Sequence, residues 1–245
     1  MERSKRIAIA FFKQFGFDVD DIPESDDKRA DIRAFDSTRR EYVTEVKDRI
    51  DDPDTVASQL KTISDGKSEF TFRVSPMDHS NALDGIFKDG GLQLGDTPSE
   101  PNAFRLLWLH CNGIDASLQA IRARNTFYGV VPVTPVNGDD GYMCFYFDFN
   151  TSFMLRHVNG LVIFEKDGIT LYLNEFAENA DQFRECELVS IMGDSVFDPK
   201  KIVANEEHIA FTGNISRKNE SKVLDALQEQ TGIKYRTARM NRHMF

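Results

Sequence analysis

Between Phe104 and Cys111 the chain reads FRLLWLHC, apolar at nearly every position. A half-exposed strand alternates apolar and polar residues, whereas an unbroken apolar run of this length suits a strand buried on both faces. Such a strand needs packed layers above and below it. The class expected is therefore α/β, a mixed sheet flanked by helices.

The residues ahead of that run supply further elements. Residues 2–15 (ERSKRIAIAFFKQF) predict a helix, with Ile7, Ala10, Phe11 and Phe15 on one side and Arg3, Lys5, Arg6 and Lys13 on the other. Gly16 stands where a helix stops. Residues 17–22 alternate apolar and acidic side chains, as a half-exposed strand does. Residues 30–35 (ADIRAF) and 41–47 (EYVTEVK), joined by the polar DSTRR, predict two more strands and thus an antiparallel meander. Pro53 opens a helix over 54–64, 68–74 reads as a short strand, and 78–88 reads as a helix closed by Gly90 and Gly91. A helix over 114–124 and a strand over 127–133 follow. Past the Asn137–Gly141 turn the chain becomes strand-rich, with YMCFYFDF, LVIFE and ITLYL and a hairpin signal at Asp167-Gly168. Residues 187–192 suggest another strand, and 216–230 a final helix with Val223, Leu224 and Leu227 inside. The chain thus divides into 1–135 and a strand-rich C-terminal region, 136–245, ending in a helix.

Bulk properties narrow the function. Lys and Arg number 30 against 40 Asp and Glu, a net charge of −10, which argues against coating nucleic acid by bulk electrostatics. An acidic enzyme on DNA needs a local basic surface or a partner that delivers the strand. No apolar run approaches the roughly 18 residues of a membrane span. Lys13 and Gln14 interrupt the N-terminal apolar stretch, so a helix is expected there and not a signal peptide. Cys111, Cys144 and Cys186 are odd in number and widely spaced, giving neither a disulfide framework nor a zinc site. Free thiols in a reducing cytoplasm are expected.

The chemistry lies in Asp31 on the second predicted strand and Glu45-Val46-Lys47 on the third. Alternate strand residues share a face, so Glu45 and Lys47 point the same way, and a short turn brings Asp31 beside Glu45. Adjacent carboxylates repel unless a cation lies between them, and hard oxygen ligands favour Mg²⁺ or Mn²⁺. Such an ion polarises a phosphodiester and activates a water, which a neighbouring Lys47 would orient. The alternative is that Glu45 and Lys47 form a solvated ladder on an exposed strand face.

An opening helix, a meander, an Asp and then Glu-x-Lys resembles the PD-(D/E)XK, or restriction-endonuclease-like, nucleases. Phe15-Gly16-Phe17-Asp18-Val19, Ala30-Asp31-Ile32-Arg33-Ala34 and Thr44-Glu45-Val46-Lys47 are similar to the matching segments of Holliday-junction resolvases and related restriction enzymes. The likeness covers about residues 1–65 and extends more weakly to 135, so that 1–135 would be the nuclease-like domain. It departs from the family at Ala30, where a Pro is usual. The resemblance implies a restriction-endonuclease-like sheet and Mg²⁺-dependent cleavage of DNA. Asp31, Glu45 and the Val46 carbonyl would be metal ligands and Lys47 the catalytic base or water-orienting group. Glu2 at the start of the first helix and Gln59 on the helix after the lysine strand would lend support. It also implies a restriction or phage-defence role and a homodimer, while the acidic charge suggests a partner that recruits DNA, such as a helicase or ATPase.

Nucleic acid would be gripped by the basic tail, Lys234, Arg236 and Arg239, or by Arg122 and Arg124. His110, beside Trp108 on the buried-looking strand, reads as a hydrogen-bonded core histidine. No phosphate-cradling glycine loop and no hydrolase triad is evident. The rival reading is a non-catalytic subunit that keeps the nuclease-like fold and binds protein through its C-terminal surface; an RNase is a third.

Overall fold

The computed structural model describes residues 2–23, 29–50, 57, 61–62, 64–65, 79–113, 116–166, 168–201 and 208–238. Helix α1 spans Glu2–Gln14, and Gly16, at φ 84°, ends it in the left-handed conformation. Strands β1 (Asp18–Asp21), β2 (Ile32–Phe35) and β3 (Glu41–Ile50) form the expected antiparallel meander. The turn into β3 is built by Asp36. Its buried carboxylate accepts hydrogen bonds from the Thr38 and Arg40 amides at 3.0 and 2.9 Å and from the Tyr42 hydroxyl at 2.9 Å.

Helix α2 (Asn81–Asp96) leads to β4 (Phe104–Asn112), which runs parallel to β3 along nine paired positions. Then come α3 (Ala116–Tyr128), β5 (Val131–Pro135), β6 (Tyr142–Phe145), α4 (Thr151–Met154), β7 (Gly160–Glu165) and β8 (Gly168–Leu173). Helices α5 (Ala180–Arg184) and α6 (Glu187–Met192) precede β9 (Val196–Phe197). The chain continues through β10 (His208–Ala210), α7 (Glu220–Thr231) and β11 (Tyr235–Thr237). The main sheet has seven strands in the order β1-β2-β3-β4-β7-β8-β9, and a second has four, β10-β6-β5-β11. This is a mixed α/β protein, and β4 is the interior strand its apolar run demanded.

Two cores cover the main sheet. On one face Ala8 and Phe12 of α1, Phe183 of α5 and Leu188 and Met192 of α6 pack on Tyr42, Val46, Trp108 and Val162. On the other, Leu83, Phe87 and Leu94 of α2 and Ala120, Ala123 and Phe127 of α3 pack on Val43, Leu107, Leu109 and Leu161. The second sheet is closed by Val223 and Leu227 of α7. Among the described residues no helix is long and apolar enough to cross a membrane.

Several expectations are corrected. The buried stripe of α1 is Ser4, Ala8 and Phe12, turned by about one position from the expected one. Ala8 lets the helix approach the sheet closely, while Ile7, Ala10, Phe11 and Phe15 line an open groove with Trp108, Phe164 and Ile191. Gly90 and Gly91 lie inside α2, not at its end. A Cβ there would meet Leu107 Cδ2 at 2.6 Å and Leu155 Cδ2 at 2.7 Å, so these glycines mark close packing and not a stop. Residues 187–192 are helical because Leu188 and Met192, four apart, bury together. Residues 127 and 128 extend α3, their rings fully buried, and the chain turns only at Gly129, φ 61°. The expected helix over 54–64 lies mostly outside the described residues, and the strand over 68–74 wholly so. Each sheet takes strands from both sides of residue 135, where the sequence suggested a division.

Candidate functional site

Strand β3 outruns β2, and the site forms where the pairing stops. The last described pair is Ile32↔Thr44, and the register continued by one residue sets Asp31 opposite Glu45. The Asp31 amide still donates to the Thr44 carbonyl at 3.1 Å. Beyond it the ladder is replaced by a side chain, since Asp31 Oδ2 accepts the Val46 amide at 2.9 Å. A strand residue directs its N–H and C=O to the same edge, so the Val46 carbonyl points to this edge as well. Asp31 itself is 8% exposed.

Glu45 and Lys47 lie on the α2 face of β3. Glu45 is only 1% exposed, which rules out the solvated ladder. Its Oε1 lies 2.6 Å from Lys47 Nζ; its buried Oε2 meets no hydrogen-bond donor among the described residues, and the Asp31 carboxyl is close enough to act on it. Burial pushes the Glu45 carboxyl up to about 7; Lys47 opposes this and the neighbouring Asp31 carboxylate adds to it. The Lys47 ammonium, on a side chain 21% exposed, also donates to Gln93 Oε1 of α2. Gly90 brings α2 within reach: its position for a Cβ is 3.4 Å from both Glu45 Cγ and Lys47 Cε. Sequence reasoning missed Gln93. It lies 46 residues from Lys47, and no short-range pattern marks it.

Lys5 is a second omission. From α1 its ammonium reaches Asp21 Oδ1 at 2.5 Å, the Ile22 carbonyl at 3.3 Å and Asp31 Oδ1 at 3.7 Å. Its assignment to the polar side of the helix concealed it. Only the true phase of α1, set by Ser4, Ala8 and Phe12, turns Lys5 toward the acids.

Other buried acids show what is unusual about Glu45. Glu41 pairs with Arg33 at 2.5 Å and accepts the Glu100 amide at 2.5 Å. Asp84 accepts from the Thr151 hydroxyl at 2.9 Å and from Lys88 at 2.5 Å. In each of these both oxygens are engaged, whereas Glu45 has one oxygen with no donor among the described residues, beside a second carboxyl. A bare buried acid oxygen is costly unless it is protonated or meets a cation. Asp31 Oδ1, Glu45 Oε2 and the Val46 carbonyl are all hard oxygen donors and suit Mg²⁺ or Mn²⁺, which bind one or two carboxylates and retain waters. Among the described residues no group of three or more His, Cys, Asp or Glu is arranged for a metal, so the fit rests on two carboxylates and backbone oxygen.

The remaining expected residues lie elsewhere. Glu2 is on the first turn of α1 with its side chain 87% exposed, 4.0 Å from Arg6, and no described contact joins it to Asp31 or Glu45. Gln59 and Arg239 lie outside the described residues. Arg122 and Arg124 are half-buried on α3. Arg124 Nε donates to Asn125 Oδ1 at 3.0 Å, and burial lowers its guanidinium's pKa. Such a group is not a free, solvated cation for a phosphate chain. Lys234 and Arg236 do stand in solvent. They belong to the edge strand region, held by the Val136 amide on the Lys234 carbonyl at 2.8 Å and by pairing of Arg236 with Thr134, and so are not a frayed end.

On the opposite face of β3, His110 is buried as expected. Its Nδ1 lies 2.6 Å from Ser4 Oγ, and the Ser4 hydroxyl also donates to Asp48 Oδ1. A hydroxyl that donates to Asp48 cannot also donate to His110, so the histidine does not activate it. Burial holds the imidazole below its ordinary pKa against the opposing charge of Asp48. The cluster fixes the start of α1 to β3 and β4.

Comparison with protein-family models, with curated proteins and with solved structures gave no match.

Proposed function

We propose that this chain is a divalent-metal-dependent endonuclease of PD-(D/E)XK type that hydrolyses DNA. The observation behind this reading is the bare, buried Glu45 Oε2 beside Asp31, with Lys47 on the same strand face. The order of elements supports it too: a helix, an antiparallel meander, then a helix and a strand parallel to the third. Asp31, Glu45 and the Val46 carbonyl would hold the ion. When bound, Mg²⁺ or Mn²⁺ supplies charge to polarise the phosphodiester and lower the pKa of a water. Lys47 would orient the attacking water and offset charge on the phosphate, and Gln93 fixes where its ammonium stands. The net charge of −10 favours delivery of DNA by a helicase or ATPase partner, in keeping with a cytoplasmic restriction or phage-defence effector; a homodimer would supply the two sites that duplex cleavage needs.

Supercoiled plasmid incubated with the purified protein and Mg²⁺ or Mn²⁺ tests this reading. The wild type is expected to nick or linearise it, and Lys47→Ala to lose about 10²–10⁴-fold in rate with an unchanged fold. Equal cleavage by both proteins would sink the assignment, and so would an absence of both cleavage and Mn²⁺ binding.

A second reading, a non-catalytic interaction subunit, draws on the apolar groove of about 470 Å³ along α1, open beside Phe11 and Phe15. It requires that Lys47→Ala leave the biological phenotype intact.

A further inference from the structure

Lys5 does something unusual for a helix-surface lysine. Its side chain is only 13% exposed, and three oxygens surround its ammonium: Asp21 Oδ1 at 2.5 Å, the Ile22 carbonyl at 3.3 Å and Asp31 Oδ1 at 3.7 Å. Two carboxylates and a backbone carbonyl are the donor set that a hard cation selects. They come from β1, from the residue after it and from the residue before β2, so backbone pairing holds them together: the Ile22 amide donates to the Asp31 carbonyl at 3.0 Å.

The local charge tells the same story. Asp21, Asp31 and Glu45 bring three carboxylates, and Lys5 and Lys47 bring two ammoniums. Lys47 is committed to Glu45 and Gln93 on the far side. Lys5 brings its ammonium to the Asp21–Asp31 side. Asp31 is therefore shared: Oδ2 accepts the Val46 amide, Oδ1 faces Lys5 at 3.7 Å, and Glu45 is a neighbouring carboxyl that feels its charge.

We propose that Lys5 is a tethered cation of the site. It occupies the Asp21–Asp31 side where a second divalent ion would otherwise bind, limits the chain to a single ion beside Glu45, and holds Asp31 in its orientation. Lys5 is a positioning residue and touches no reacting atom. This role rests on the metal-dependent reading given above. It accounts for the first helix contributing a basic group here, while the acid expected from that helix, Glu2, stands in solvent.

The test is a Mn²⁺ titration of the full chain, followed by calorimetry and by the electron paramagnetic resonance of free Mn²⁺. The proteins compared are the wild type, Lys5→Met, Lys5→Gln and Lys5→Arg. Thermal unfolding establishes that each is folded, and two neutral variants guard against the loss of one. The wild type and Lys5→Arg are expected to saturate at one ion per chain. The neutral variants are expected to take up a second, because removing the ammonium frees the Asp21 and Asp31 oxygens that it contacts. Their melting temperature should also rise further with Mn²⁺ than that of the wild type. A purely structural lysine would change stability and leave stoichiometry alone. One ion in every protein, at unchanged affinity, overturns the role of Lys5 and leaves the metal reading standing. No Mn²⁺ bound by the wild type overturns both.

Discussion

Glu45 illustrates how burial of one carboxyl couples the site to pH. Its pKa is raised to about 7 from an ordinary 4.5, so between those values the folded chain holds a proton that the unfolded chain has lost. The metal-free protein is therefore expected to lose stability as pH rises from about 4.5 through 7, by about 3 kcal/mol in total. Glu45→Gln, which cannot ionise, should flatten that part of the profile. Chemical denaturation without metal at about pH 5 and about pH 8 measures it. An equal slope in both proteins would mean that other groups carry the dependence. At this scale the sequence was informative where chemistry follows strand alternation. Glu45 and Lys47 share a face because they are two apart, and Asp31 meets them through a short turn. It was silent on Gln93, since a contact across 46 residues leaves no local pattern, and it misplaced Lys5 because the unbroken apolar run from Ile7 to Phe12 leaves the phase of α1 ambiguous.

Helix α2 shows the same limit for an element. Gly90-Gly91 reads as a terminator, yet the helix continues to Asp96 because both glycines press against leucine side chains. Spacing along a chain reports a glycine's conformational freedom. It does not report how near another element comes. Gly85 in the same helix has nothing within 4 Å of a built Cβ and serves as the internal control. Gly85→Ala is expected to stabilise by about 0.5–1 kcal/mol through helix propensity alone. Gly90→Ala should destabilise by about 1–3 kcal/mol, since Leu107 must move. It should also slow plasmid cleavage by displacing the Glu45 and Lys47 side chains. Thermal melts and the cleavage assay on both variants decide between a packed contact and a mere helix preference. If Gly90→Ala stabilises as Gly85→Ala does, the close contact is not real.

For the whole molecule, the layered α/β architecture was legible in the apolar β4 run and the helical and strand periods. The partition of the chain was not, because nothing local marks which strands pair. β4 and β7 join the two halves along Leu106–His110 and Gly160–Phe164. A fragment ending at residue 135 would expose that edge of β4 and strip the cores of Phe145, Leu161 and Phe183. Such a fragment is expected to lack a cooperative unfolding transition, while the full chain melts in one step; calorimetry beside near-ultraviolet circular dichroism tests this. A cooperative melt of the fragment would restore 1–135 as an independent unit. The two kinds of strand pairing also set an order of events. The β1–β3 meander closes over short separations, whereas the parallel β3–β4 pairing must first enclose some fifty intervening residues. Parallel pairing across so long a separation is slow relative to local hairpin formation. Asp31 and Glu45 are therefore expected to come together before α2 brings Gln93 to Lys47. During synthesis the emerging chain would then carry the paired acids and an unclamped Lys47 until that helix docks.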